Sequence, residues 1–339
     1  LSRQAILLVN LGTPDAPDAP AVKRYLAEFL GDPRVVELPR LIWLPILHGI
    51  ILNVRPAKSA AKYAQIWTPE GSPLKVHTER QAKLLKGWLG QRGHPELSVA
   101  WAMRYGQPSL AATLDRLVSE GADDILILPL YPQWAGSTTG SAQDAVSDWL
   151  ARQPRAPRIR WIEEFHADPG YLGALAASLR EHWQAHGRAE KLVMSFHGIP
   201  QRAVDRGDPY ARQCLATAQR LAQRLELSAD RWLVTFQSRF GAAKWLKPYT
   251  QPTLEALARS GIQSVDVICP GFPADCLETL EEIGLECREA FLHAGGKEFR
   301  YVPCLNERPD WIAALGAMCL ETLRAEPISA NIDKGEPHV

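Results

Sequence analysis

Residues 264–286 read SVDVICPGFPADCLETLEEIGLE, and the fold class turns on them. The apolar run Val265–Cys269 has the length and β-branched content of a buried strand. Pro270, Gly271 and Pro273 break it, and Pro273 suits the first turn of a helix. Asp275 and Glu278 complement the positive N-terminal end of that helix. In a parallel α/β sheet, a strand-to-helix turn of this kind lies where ligands bind. Glu278, Glu282 and Glu286 stand at i, i+4 and i+8, so an α-helix would set them along one face. A carboxylate row aimed into a crevice holds a hard cation or takes up protons. The plainer reading is a solvated acidic face behind a capping Asp275.

Outward from this stretch, strand-like runs alternate with helix-like ones. Strands are predicted near 5–10, 98–103, 125–130, 159–163, 191–196, 232–236, 265–269 and 299–302. Helical periodicity fits 22–30, 78–88, 109–120, 141–151, 170–186, 210–225, 252–260 and 311–324. The alternation predicts an α/β protein of two similar Rossmann-like domains, each a doubly wound parallel sheet, with a cleft between them. The first is expected over 1–151, completed by a final helix at 311–324, and the second over 159–304. The Pro-rich basic stretch 152–158 reads as the hinge, and 326–339 as a disordered tail. No internal repeat is evident by eye.

Composition narrows the function. The 339 residues carry 38 Lys+Arg against 38 Asp+Glu, so no basic field points to nucleic acid as a partner. The opening LSRQAILLVN enters a strand without a signal peptide's features. No apolar run reaches the ~20 residues of a membrane span, and Pro45 and His48 interrupt the nearest one, Leu41–Leu52. Six cysteines in a chain of this length do not read as a disulfide framework. Cytoplasmic residence is the expectation, with peripheral contact at the inner membrane as its variant.

Nucleotide signatures are lacking: there is no G-x-G-x-x-G after a strand and no G-x-x-x-x-G-K-[ST]. The loops after strands carry chemistry instead. Asn10–Pro14 follows the first strand, Met103–Gly106 brings Arg104 and Tyr105, and Tyr131–Ser141 is rich in small hydroxyl residues. In 195–200, SFHGIP, His197 closes a strand, where it can serve as a base or a metal ligand, or simply satisfy turn carbonyls. His182 and His186 have zinc-compatible spacing but no third ligand, and read as a helix end. Arg55, Lys58, Tyr63, Ser238 and Trp245 add cations, hydroxyls and a flat ring.

Taken together, LVNLGTP, RYGQP, LYPQWAGSTTGS, SFHGIP, RGDPY, TFQSRFGAAKWLKPYT and CPGFPADCLETLEEI closely resemble the ferrochelatase family from Leu7 to about Trp311. The resemblance implies an ATP-independent enzyme that inserts ferrous iron into protoporphyrin IX, the last step of haem synthesis. It implies two Rossmann-like halves with the porphyrin between them, and no nucleotide cofactor. His197 and Glu278 match the family's facing metal-site pair, with Glu282 and Glu286 as a path for protons or metal. Leu11, Tyr63, Arg104, Tyr105, Tyr131 and Trp245 match pocket positions; Arg55, Lys58 and Ser238 match positions meeting the propionates. The Leu41–Leu52 stretch matches an apolar lip that touches a membrane surface, or the preceding pathway enzyme, or covers substrate.

Three features qualify the resemblance. Leu11 stands where the coproporphyrin-using branch has tyrosine, which favours protoporphyrin IX. Cys276 stands where some relatives have histidine. Cys269, Cys276, Cys287 and Cys304 supply enough thiols for the [2Fe–2S] cluster that some microbial members hold, although small buried residues are their alternative role. The competing functions are a chelatase for coproporphyrin III, cobalt or another tetrapyrrole, and a porphyrin or metal carrier without turnover.

Overall fold

The structure is a computed structural model that describes residues 3–241 and 243–325; the expected tail at 326–339 lies outside the described residues. The first half runs β1 (Gln4–Gly12), α1 (Ala19–Gly31), α2 (Arg40–Ile46), a π-helical turn (Leu47–Ile51), α3 (Leu52–Ile66), α4 (Pro73–Gln91), β2 (Ser98–Tyr105), α5 (Leu110–Ser119), β3 (Asp124–Pro129), a second π-helical turn (Gly136–Gly140), α6 (Ser141–Leu150) and β4 (Arg158–Trp161). The chain continues with α7 (Pro169–His186), β5 (Lys191–His197), α8 (Gln201–Asp205), α9 (Tyr210–Arg224), a 3₁₀ turn (Ala229–Arg231), β6 (Trp232–Gln237), α10 (Thr250–Arg259), β7 (Ser264–Ile268), a π-helix (Glu278–Cys287), α11 (Arg288–His293), β8 (Glu298–Tyr301) and α12 (Pro309–Arg324).

All eight expected strands form, in two parallel sheets ordered β2-β1-β3-β4 and β6-β5-β7-β8. Helices cover both faces of each sheet, so β3 is buried at every position and reads as a continuous apolar run. Side chains fix the helix starts: Asp18, Ser109 and Asp168 accept from the backbone N–H of Ala21, Ala112 and Tyr171. One apolar core joins the halves, from Leu8 on β1 through Trp311 and Leu315 on α12 to Met194 and Phe196 on β5. α12 returns across α4 and α7. Among the described residues, no helix is long and apolar enough to cross a membrane.

Three expectations change. The change of half does not fall at 152–158, because β4 follows that stretch and still pairs with β3. The Leu41–Leu52 region is helical: α2 contains Pro45 and runs through the π-helical turn straight into α3. Prolines at 45 and 56, and an α2 that buries no side chain, hide these helices in the sequence. A repeat also emerges. Ile125 opposes Ile159 in the first sheet as Val265 opposes Phe299 in the second. Arg160 and Arg300 occupy equivalent positions. Each pairs with a buried aspartate, Asp124 or Asp266, from a different register position of the neighbouring strand, and each also donates to a helix end, α12 in one case and α7 in the other.

The opening stretch differs most. Residues 278–287 form a π-helix closed by i→i+5 hydrogen bonds in place of the expected α-helix. Pro273 lies upstream of the helix, its carbonyl accepting from Asn306 N–H and Gln81 Nε2. Asp275 accepts from Thr279 Oγ1, Tyr301 Oη and Asn306 Nδ2, fastening the turn to the segment after β8.

Candidate active site

The C-terminal ends of β1, β3, β5 and β7 open onto one cleft, as ligand sites in parallel sheets do. It holds about 1330 Å³ of atom-free space, open solvent at its mouth included. Leu11, Tyr25, Phe29, Tyr63 and Tyr131 line it from the first half, and His197, Trp245, Phe272 and Glu278 from the second. Tyr131 Oη and Trp245 Nε1 are buried without a hydrogen-bond partner in the protein. Such atoms are rare in native structures and mark where a ligand or ordered solvent belongs.

His197 ends β5, where Gly198 lets the chain turn: a Cβ on Gly198 would sit 2.9 Å from the Gln237 carbonyl oxygen. His197 Nδ1 lies 2.6 Å from the Gly198 carbonyl oxygen, which can only accept. The neutral ring is therefore held with its proton on Nδ1, and Nε2 keeps its lone pair. Glu278 opens the π-helix and is half-buried. Its backbone carbonyl accepts from Gln237 Nε2 at 2.7 Å, and the Gln237 side-chain oxygen accepts from Ser195 Oγ at 2.7 Å. Gln237, which sequence reasoning passed over beside Ser238, thus joins the strand of His197 to the helix of Glu278.

The other glutamates part company. Glu282 accepts from Ser238 N–H at 2.7 Å and from Ser238 Oγ. Burial raises its pKa, while Ser238 and the nearby His197 pull the other way. Glu286 is exposed and pairs with Lys62 at 2.6 Å; Glu281, buried, pairs with the same Lys62 at 3.0 Å. Ser238 is committed to Glu282, at a left-handed φ of 66°. Arg55 is exposed and stacks over Phe240 at 5.6 Å, with Lys58 exposed on the same helix.

Arg104 and Tyr105 do not line the cleft. Asp32 accepts from Arg104 Nη2 at 2.7 Å, Tyr105 Oη at 2.8 Å and Ser141 Oγ at 2.6 Å. This network fastens the end of α1, which carries Tyr25 and Phe29, to β2 and α6. Neither aromatic was singled out in the sequence, although their i, i+4 spacing on α1 was a readable signal. His182 is no free helix end either: its Nε2 lies 3.3 Å from buried Asp266.

The four cysteines do not fit a cluster. Cys269, Cys287 and Cys304 pack in the apolar core around β7, whereas Cys276 packs with Leu74 and Ala274. Burial pushes all four thiols up in the metal-free protein. Among the described residues, no group of three or more His, Cys, Asp or Glu side chains is arranged to hold a metal.

The family model for ferrochelatase matches residues 3–323. The chain belongs to the ferrochelatase family. It is 63% identical over 331 residues to the ferrochelatase of Methylibium petroleiphilum, covering 98% of this chain and 91% of that one. It is 64% identical over 313 residues to that of Aromatoleum aromaticum, covering 92% and 86%. Among solved structures, SirB from Bacillus subtilis with Fe³⁺ superposes with a TM-score of 0.56 at 13% identity, covering 94% of this chain and 95% of that chain. The sirohydrochlorin chelatase SirB from Bacillus subtilis subspecies spizizenii in complex with cobalt gives 0.52 at 14%, with the same coverage. At such identities the likeness speaks to the fold alone. As a ferrochelatase family member the chain is a metal chelatase, and its family inserts iron into a porphyrin in haem biosynthesis.

Proposed function

We propose that the chain inserts Fe²⁺ into protoporphyrin IX, with His197 and Glu278 as the working pair. The observation that carries this reading is the pair itself: an imidazole whose Nε2 lone pair is kept free and a half-buried carboxylate, on one aromatic-walled cleft. Metallation exchanges two pyrrole N–H protons for one Fe²⁺, so the site must accept protons and loosen water from the ion. Imidazole and carboxylate both suit Fe²⁺, and two donors form an open set from which the substrate ion can pass on. His197 Nε2 takes pyrrole protons, and Glu278 receives and hands over the metal. Glu282 stands next along the π-helix, and its raised pKa equips it to pick up a proton above the usual carboxylate range. Glu286, held by Lys62, lies at the solvent end of any such path.

Tyr63, Tyr131 and Trp245 supply the flat apolar walls against which the macrocycle would pack and bend. Arg55 and Lys58 are exposed cations on α3, the helix that also carries Tyr63, and that supports a role in meeting propionates, although neither lines the cleft itself. Leu11 fills a position where a hydroxyl would favour an acidic substituent, which supports protoporphyrin IX over coproporphyrin III. The exposed side chains of Leu41, Ile42, Ile50 and Val54 support contact of the α2–α3 lip with a membrane surface from which porphyrin arrives.

An anaerobic assay with Fe²⁺ and each porphyrin tests the reading. Protoporphyrin IX should be the better substrate. His197→Ala and Glu278→Gln should each lower kcat at least about 100-fold while porphyrin affinity stays within about threefold. Near-full turnover in either variant removes that residue from the chemistry, and a preference for coproporphyrin III overturns the role of Leu11.

A further inference from the structure

The π-helix that carries Glu278 is ten residues long, whereas π-helical structure mostly occurs as single turns. Something must hold it in that form. At its start, Gln237 and Ser238 of the second half grip the Glu278 carbonyl and the Glu282 carboxylate. On another side, Lys62 of α3 reaches over from the first half and bonds Glu281 at 3.0 Å and Glu286 at 2.6 Å. Those two glutamates are five residues apart. In an α-helix, five residues turn the chain about 140° past a full revolution, so the side chains would point apart. In a π-helix, i and i+5 are neighbours along the hydrogen-bonded column. One ammonium bonding both is compatible with the π form and poorly compatible with the α form.

We propose that Lys62 sets the π-helical register of this segment, and so acts as a positioning residue for Glu278. Its neighbour Tyr63 lines the cleft, so α3 presents one side chain to the substrate and the next to the metal-site helix. Glu281 is buried, and Lys62 is its only side-chain hydrogen-bond partner among the described residues. Burial alone works against the Lys62 charge, but its bonds to Glu286 and Glu281 more than offset that and raise its pKa. The clamp thereby ties α3 of the first half to the π-helix of the second. The inference rests on the assignment of Glu278 to metal transfer.

Lys62→Met, Lys62→Arg and Glu286→Gln are compared with the parent in anaerobic Fe²⁺ insertion into protoporphyrin IX. Porphyrin binding is read separately from tryptophan quenching, and folding from the thermal midpoint. Lys62→Met should lower kcat roughly tenfold or more, as expected for a group displaced by about an ångström, with porphyrin affinity within about twofold. Lys62→Arg should recover most of the loss. Glu286→Gln should lose turnover severalfold. Unchanged kcat in Lys62→Met, or a matching fall in porphyrin affinity, overturns the proposal. Should Lys62→Met fail to fold, Glu281→Gln carries the same comparison. His197→Ala run alongside separates the two readings: turnover there removes the underlying site, whereas turnover in Lys62→Met removes the clamp alone.

Discussion

Asp32 is a single carboxylate on which one wall of the cleft depends. It stands just beyond α1, is buried, and accepts from Arg34 N–H, Arg104, Tyr105 and Ser141. Burial by itself would raise its pKa, but the Ser141, Arg34 and Tyr105 hydrogen bonds and the Arg104 charge outweigh it and hold the pKa below the usual value. A depressed folded-state pKa means the contribution to stability is full above the unfolded value of about 3.9 and is lost as pH falls through the folded value. Asp32→Asn should therefore cost roughly 3 kcal/mol at pH 7, because it leaves Arg104 half-buried without its counter-ion. Below about pH 4 the two proteins should converge in urea-unfolding free energy; a constant gap down to pH 2 would show that the charge is not what matters. The sequence offered Arg104 and Tyr105 as ligand contacts because they follow a strand. It could not reveal that Asp32, remote in the chain, claims both.

At the scale of elements, what was legible follows from periodicity. β3 and β5 are mainly apolar strands buried through their centres, and such runs read alike in sequence and structure. The π-helix was not legible, because 278–287 offers an ordinary amphipathic pattern. Only long-range partners, Lys62 and Ser238, decide its register. The α2–α3 region was illegible for another reason. Its apolar side chains face outward: Leu41 is 93% exposed, and Ile42, Ile50 and Val54 are each 58% exposed. α3 does bury a stripe of Leu52, Ala60, Tyr63 and Ile66, but α2 buries no side chain, so the region as a whole leaves a weak 3.6-residue signal. That same exposure gives the element its prediction. Burying two such side chains in lipid is worth about 1.5–3 kcal/mol each, so Leu41→Asp/Ile42→Asp should weaken co-sedimentation with phosphatidylglycerol-containing vesicles at least tenfold. Turnover with detergent-dispersed porphyrin should stay near that of the parent. Equal vesicle binding by both proteins would leave the lip as a cover for substrate.

For the whole molecule, the two sheets impose an equivalence that the sequence conceals. Ala5 lies beside Ile125 as Lys191 lies beside Val265, and counting six residues up each central strand brings Leu11 to the place of His197. The local structure agrees. Gly12 follows Leu11 and Gly198 follows His197; Met103 N–H donates to the Pro108 carbonyl as Phe236 N–H donates to that of Pro248. Gly12, at φ 128°, also permits close approach, since a Cβ there would fall 1.8 Å from the Tyr105 carbonyl oxygen. Identities survive at few points, Gly12/Gly198, Pro14/Pro200 and Arg160/Arg300 among them, too few to form a visible sequence repeat. The cleft is thus built from two equivalent strand ends, of which one bears a metal-competent imidazole and the other an apolar side chain. Both line the same space. If that equivalence is geometric rather than nominal, Leu11→His introduced into His197→Ala should place an imidazole on the opposite wall. Co²⁺ titrated into the apo double variant should then develop visible ligand-field absorption that His197→Ala alone lacks. Porphyrin metallation should remain at the His197→Ala level, because Glu278 and its Gln237 support stay on the second half. Absence of any Co²⁺ signal would mean that Leu11 and His197 share a register but not a direction into the cleft.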